Sequence, residues 1–239
     1  MTRAALFDLD DTLFDHRGCA HDALSALYES QRSFQSMTFA ALQEAHADFL
    51  EQLHAEVMLG RVSVDAARIE RFRRLLHAAG ANAAGDDAAA LAVLYRDTYR
   101  QRRRAIAGAA ALMGSVRRHV PIGVVSNNVL DEQQEKLLIC GLEQFVDELV
   151  VSAEVGVSKP DPEIFRVAIN RLGVSAEQAV MVGDSWAADI EGARGAGIRA
   201  IWFNPTGAVA PDSAADVEQL RSLEPTDEVV RVILGKSRS

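Results

Sequence analysis

Five short apolar runs punctuate the chain: Ala4–Leu9, Val120–Val125, Glu148–Ser152, Ala179–Val182 and Arg199–Phe203. Each is rich in β-branched residues or closed by turn residues, which predicts strands buried on both faces. Stretches of helical periodicity separate the last four. One is Leu130–Ile139; a second opens at Asp161-Pro162-Glu163, an N-cap, a proline at the first helical position and an acid in the first turn. A third follows Asp184 and closes near Gly195 and Gly197. Strands alternating with helices predict a doubly wound, mostly parallel α/β sheet, whose sites lie outside the carboxyl ends of its strands.

The first connection breaks this rhythm. Leu9 and Val120 are separated by more than a hundred residues, where a crossover needs about a dozen. Ala, Leu, Arg, Glu and Gln dominate the segment, with helical stretches at Ala20–Gln31, Thr38–Leu59, Ser63–Ala79 and Asp86–Arg103. Turn signals fall at Gly80-Ala81-Asn82 and Gly85-Asp86-Asp87. An all-helical domain inserted over residues 16–103 is therefore expected, with residues 1–15 and 104–239 forming the α/β core. Helix Gly108–His119 returns the chain to the sheet, and the tail Ala215–Gly235 ends in one more amphipathic helix.

Composition narrows the setting. Among 239 residues, 25 Lys and Arg stand against 34 Asp and Glu, a net charge of −9. That balance argues against a broad basic surface for nucleic acid. Hydrophobic residues at 49% fit an ordinary globular chain. Two cysteines, Cys19 and Cys140, make no disulfide framework and are expected as reduced thiols. No apolar stretch reaches the ~20 residues needed to span a bilayer, and the run after Met1 meets Asp8 too soon for a signal peptide. A soluble, cytoplasmic monomer or homodimer with no membrane or nucleic-acid partner is the expectation.

Chemistry gathers at the strand ends. Asp8 and Asp10, two apart at the end of the first run, would project the same way on an extended chain. Such a pair stays ionised only with a cation between its members, or one member keeps a proton; a Mg²⁺ site and a general acid are both open. Ser126-Asn127 puts a hydroxyl and backbone N–H groups at a helix start, a cradle for phosphate oxygens. Lys159-Pro160 offers a point charge before the next helix, and Gly183-Asp184 with Asp189 sets two more carboxylates after the fourth run.

Phe7-Asp8-Leu9-Asp10-Asp11-Thr12-Leu13, Ser126-Asn127, Lys159-Pro160-Asp161-Pro162-Glu163-Ile164-Phe165 and Gly183-Asp184-Ser185 with Asp189 resemble, in order and spacing, the four motifs of the haloacid dehalogenase superfamily. The insertion after the first motif resembles that family's helical cap. Asp11 departs from the more frequent glycine, a change also familiar in nucleotidase-like members; aspartate tolerates unusual backbone conformations. The resemblance implies Asp8 as a nucleophile carrying an aspartyl-phosphate and Asp10 as general acid/base that also lends its backbone carbonyl to Mg²⁺. It implies Ser126 and the Asn127 region as phosphate ligands, Lys159 as the charge offsetting nucleophile and phosphate, Asp184 as a metal ligand, and Asp189 as a direct or indirect one. Dehalogenases of the family lack the second acid and use no metal, so Asp10 and Asp184 point to a Mg²⁺-dependent phosphomonoester hydrolase. A phosphomutase and an inactive phosphoryl-ligand-binding regulator are the alternatives.

The expected substrate is a small phosphate ester. Ser185-Trp186 and Asn204-Pro205 resemble the nucleotidase-like branch, which implies a 5′-nucleotidase; sugar phosphates and phosphoglycolate remain open. Phe14, Asp15 and His16 would touch substrate or form a hinge, though His16 by itself reads first as an exposed turn residue. His46 and His54 lack a third partner with metal-ligand spacing, Arg100, Arg102, Arg103 and Arg104 read as a solvated helix end, and Phe34, Phe39 and Phe49 as packing within the helical insertion.

Overall fold

A computed structural model describes residues 1–81, 85–211 and 216–235. Asn82 of the expected inter-helix turn and Ala215 at the start of the expected tail lie outside them. The chain divides into two compact units, Met1–Asp15 with Arg104–Ser239, and His16–Arg103.

The first unit is built on a six-stranded sheet: β1 (Ala4–Phe7), β2 (Ile122–Ser126), β3 (Glu148–Val151), β4 (Ala179–Gly183), β5 (Arg199–Phe203) and β6 (Glu218–Leu220). All neighbours pair in parallel in the order β3-β2-β1-β4-β5-β6. Every residue of the central strands β1, β2 and β4 is buried, as a sheet covered by helices on both faces requires. One face packs on Ile164, Phe165 and Ala168, the other on Leu112, Met113 and Val116 together with Ile233. The strand order reverses between β1 and β4, the topological switch point at which such sheets bind ligands.

Two expectations change here. The first strand stops at Phe7 instead of Leu9, so the two-residue alternation does not carry Asp10 along with Asp8. The chain turns instead: Asp11 takes a left-handed conformation, φ 64°, which aspartate tolerates better than most residues. Strand β6 was not visible in the sequence, because three residues at an exposed edge carry too short a pattern to register.

The second unit is helical throughout: α1 (His16–Ser30), α2 (Phe39–Met58), α3 (Val64–Ala78) and α4 (Gly85–Arg102). Thr38 and Ser63 cap α2 and α3 by accepting hydrogen bonds from the Ala41 and Ala66 amides, which fixes where those helices begin. Its core holds Leu24, Leu27, Leu42, Phe72 and Leu75. Of the three phenylalanines expected there, Phe34 is buried, whereas Phe39 packs edge-on to Tyr28 and His21 at half exposure and Phe49 lies beneath the Arg74 guanidinium.

His46 is buried against Phe72 and Tyr95, and its Nε2 has no hydrogen-bond partner. Burial first, then the nearby Arg71 and His16 charges, hold its pKa well below the ordinary value. A histidine neutral when folded takes up a proton on unfolding. Its contribution to stability is therefore intact above about pH 6.5 and falls as pH drops below it, by at most about 1.4 kcal/mol per pH unit. Thermal melts between pH 8 and pH 5 should show this decline, and His46→Phe should flatten it. Among the described residues, the group of side chains that could hold a metal ion does not include His46 or His54.

The remaining helices belong to the first unit: α5 (Ala109–Arg117), α6 (Leu130–Ile139), the single turn α7 (Ser152–Val155), α8 (Pro162–Arg171), the short α9 (Gly192–Gly195) and α10 (Thr226–Leu234). A π-helical segment, Trp186–Glu191, leads into α9 where an ordinary helix was expected. No described helix is long and apolar enough to cross a membrane.

Candidate active site

Asp8 begins where β1 ends. Its N–H still donates to Val182 O at 2.9 Å, continuing the ladder to β4 and fixing the carboxylate at the switch point. Lys159 arrives from the loop before α8. Its ammonium donates to Asp8 Oδ1 at 2.6 Å, to Asp189 Oδ1 at 2.6 Å and to Val125 O at 2.9 Å, which uses all three of its protons. Burial acts to lower the lysine's pKa, but the Asp189 and Asp8 carboxylates outweigh it and the net shift is upward. Burial, above all, raises the Asp8 pKa well above its ordinary value, with Lys159 opposing and the Asp189 and Asp184 charges reinforcing.

Asp189 reaches this cluster because the π-helical segment tucks it under β4. Its Oδ2 accepts from the Ser185 amide at 3.0 Å, so both of its oxygens are engaged. A Cβ on Gly183 would collide with the Asp189 carboxylate; only glycine admits this approach. Gly183→Ala should displace Asp189 and cost about 1–3 kcal/mol by overpacking, read as a lower urea midpoint. Asp184 stands next along, and its backbone carbonyl is held by the Trp202 indole N–H at 2.8 Å. Carboxylate oxygens of Asp8, Asp184 and Asp189 lie within 4.8 Å of one another.

The Asp10 carboxylate is not one of that group. It faces α6, where Lys136 Nζ donates to Oδ1 at 2.6 Å and to Oδ2 at 2.9 Å, and Gln133 Nε2 donates to Oδ2 at 2.9 Å. The same Gln133 nitrogen lies 2.5 Å from Ser126 Oγ. Sequence reasoning missed both residues. Their signal was two polar residues, three apart, on the stripe of α6 that also buries Leu137.

Asn127 spends both ends of its side-chain amide on the main chain of Lys159: Oδ1 accepts from the Lys159 N–H at 2.7 Å and Nδ2 donates to its carbonyl at 2.9 Å. The side chain thus secures the Lys159 main chain. Phe14 is buried beneath the Lys136 ammonium, 5.2 Å from its ring centroid. Asp15 pairs with Arg104 at 2.7 Å, so that arginine is not merely solvated, and the Phe14 segment bridges to Ala105. His16 is not an exposed turn residue: it opens α1, half-buried, with its Nδ1 2.8 Å from the Tyr99 hydroxyl within the helical unit. Arg103 lies over the Tyr99 ring, and Arg100 and Arg102 are exposed. Asn204 is buried and closes its own loop through Ala208, and Trp186 packs edge-on to Trp202.

Residues 2–197 match the family profile of haloacid dehalogenase-like hydrolases. Over 83% of this chain and 82% of the relative, the sequence is 33% identical to a glyceraldehyde 3-phosphate phosphatase of Methanopyrus kandleri. It is 28% identical to the pyrimidine 5′-nucleotidase PynA of Streptococcus pneumoniae, over 84% of this chain and 83% of that one. The magnesium-bound crystal structure of the HAD-hydrolase YfnB of Bacillus subtilis superposes with a TM-score of 0.76 at 29% identity, covering 98% of each chain.

Proposed function

We propose that this chain, which belongs to the haloacid dehalogenase-like hydrolase family and is a phosphatase, cleaves small phosphomonoesters in two steps through a phosphate carried on Asp8. The observation carrying this reading is a pair of carboxylates two residues apart, each on its own lysine: Asp8 on Lys159 and Asp10 on Lys136. Separate partners suit separate tasks. In the first step an Asp8 oxygen bonds to phosphorus, the bond to the ester oxygen breaks, and Asp10 delivers a proton to that oxygen. In the second, Asp10 takes a proton from water, the water oxygen bonds to phosphorus and the Asp8–phosphorus bond breaks. Phosphate leaves, and both carboxyl groups are restored. Ser126 and the Asn127 backbone take the phosphoryl oxygens. Lys159, its protons already spent on protein oxygens, contributes charge and not a direct bond.

The donor set suits Mg²⁺, which takes carboxylate and carbonyl oxygens, and three crowded carboxylates, two of them paired with the same lysine, favour a further cation. Asp8 and Asp184 would hold it with the Asp10 backbone carbonyl, and Asp189, both oxygens engaged, would stand behind them. When bound, the ion offsets repulsion between an anionic nucleophile and an anionic phosphate. Magnesium at a hundred times its dissociation constant should stabilise the protein by about 2.7 kcal/mol. The melting shift should vanish in Asp184→Asn; equal shifts in both proteins would contradict the assignment.

The helical unit is assigned the role of a cap that excludes water and restricts the site to small substrates. Within that class the reading is a nucleoside 5′-monophosphate, supported by the similarity to PynA; the similarity to a triose-phosphate phosphatase supports sugar phosphates as the second reading. The test is a panel of both ester classes and phosphoglycolate, with and without Mg²⁺, on wild type and Asp8→Asn. Free phosphate as product separates hydrolysis from a mutase, and equal release by both proteins would overturn the mechanism.

A further inference from the structure

We infer that Lys136 and Gln133 are positioning residues that hold Asp10 for proton transfer and tie it to Ser126 at a set distance; this rests on the acid–base reading of Asp10 above. Both sit on the inward stripe of α6, one turn apart. Lys136 is 2% exposed and Gln133 fully buried. The ammonium grips both Asp10 oxygens, while a single Gln133 nitrogen reaches Asp10 on one side and Ser126 on the other. Proton donor and phosphate-binding hydroxyl are thereby joined through one side chain. The ring of Phe14 beneath the ammonium limits where it can move and contributes cation–π attraction.

Stability alone does not account for these residues. A buried ammonium is desolvated, and the Gln133 carbonyl Oε1 is buried without a hydrogen-bond partner, a cost an apolar side chain of similar volume would avoid. The Asp10 side chain is 26% exposed, so it can reach water if Lys136 is removed. An apolar replacement should therefore leave the fold intact and release the Asp10 carboxyl group from its set position. Alignment is what that release destroys, and alignment matters most where the leaving oxygen needs its proton.

Leaving-group dependence separates this role from a structural one. For Lys136→Met, kcat/KM on glycerol phosphate, whose alkoxide must be protonated, should fall about thirtyfold or more. On p-nitrophenyl phosphate, whose leaving group departs without a proton, it should fall less than about threefold. KM should change little on either ester. Lys136→Arg should recover most of the glycerol phosphate rate, and Gln133→Met should show the same selectivity more weakly; it decides the matter if Lys136→Met does not fold. Equal losses on both esters, or none on either, would overturn the positioning role while leaving the function above intact. Turnover by wild type that survives in Asp8→Asn would overturn the reading of the site, and the positioning role with it.

Discussion

Replacing Asp8 with asparagine is expected to lower phosphomonoester turnover at least about a thousandfold, the scale of losing a covalent nucleophile. The amide has the same shape but cannot attack phosphorus. Lys159 would keep its bonds to Asp189 and Val125 O, so the surroundings should hold. One of three crowded carboxylate charges disappears, and the melting temperature in magnesium-free buffer should stay level or rise. Steady-state rates beside thermal melts check both halves. An inactive protein that has also lost several degrees would signify damage to the fold instead.

Lys159→Met should damage the fold and the chemistry together. Its ammonium is the cation between two buried carboxylates, and removing one partner from such a network typically costs about 3–5 kcal/mol. Turnover should fall at least about a hundredfold with the lost electrostatic stabilisation. Adding Asp189→Asn should restore part of the stability, because one stranded charge is gone, while activity stays lost; the two sites touch, so their effects should not add. Urea denaturation at neutral pH reads the first effect. A fully stable single variant would mean that the carboxylates find other partners.

Much of this site is legible in sequence because its residues follow strands. A buried strand announces itself as an apolar run, and the polar residue ending it must lie at the sheet's carboxyl edge; Asp8, Ser126 and Asp184 each follow from that. Lys159 is found by its place before a capped helix, Asp161-Pro162-Glu163, which forms as read. What stays hidden depends on how chains turn between elements. β1 ends at Phe7, and the Asp10 carboxylate faces α6, away from the carboxylate group it was expected to join. The π-helical turn that buries Asp189 has no periodicity of its own to read. Gln133 and Lys136 look like a solvated helix face until the sheet beneath them is known. Asn127 reads as a phosphate ligand, yet its side chain holds a lysine backbone.

The central claim is a phosphate carried on Asp8, and rapid acid quench of the wild-type enzyme with Mg²⁺ and a ³²P-labelled phosphomonoester tests it most directly. Covalent transfer predicts a hydroxylamine-sensitive label on the protein during turnover, mapping to the peptide that contains Asp8 and absent from Asp8→Asn. Turnover with no labelled protein, or a label on any other residue, would contradict it.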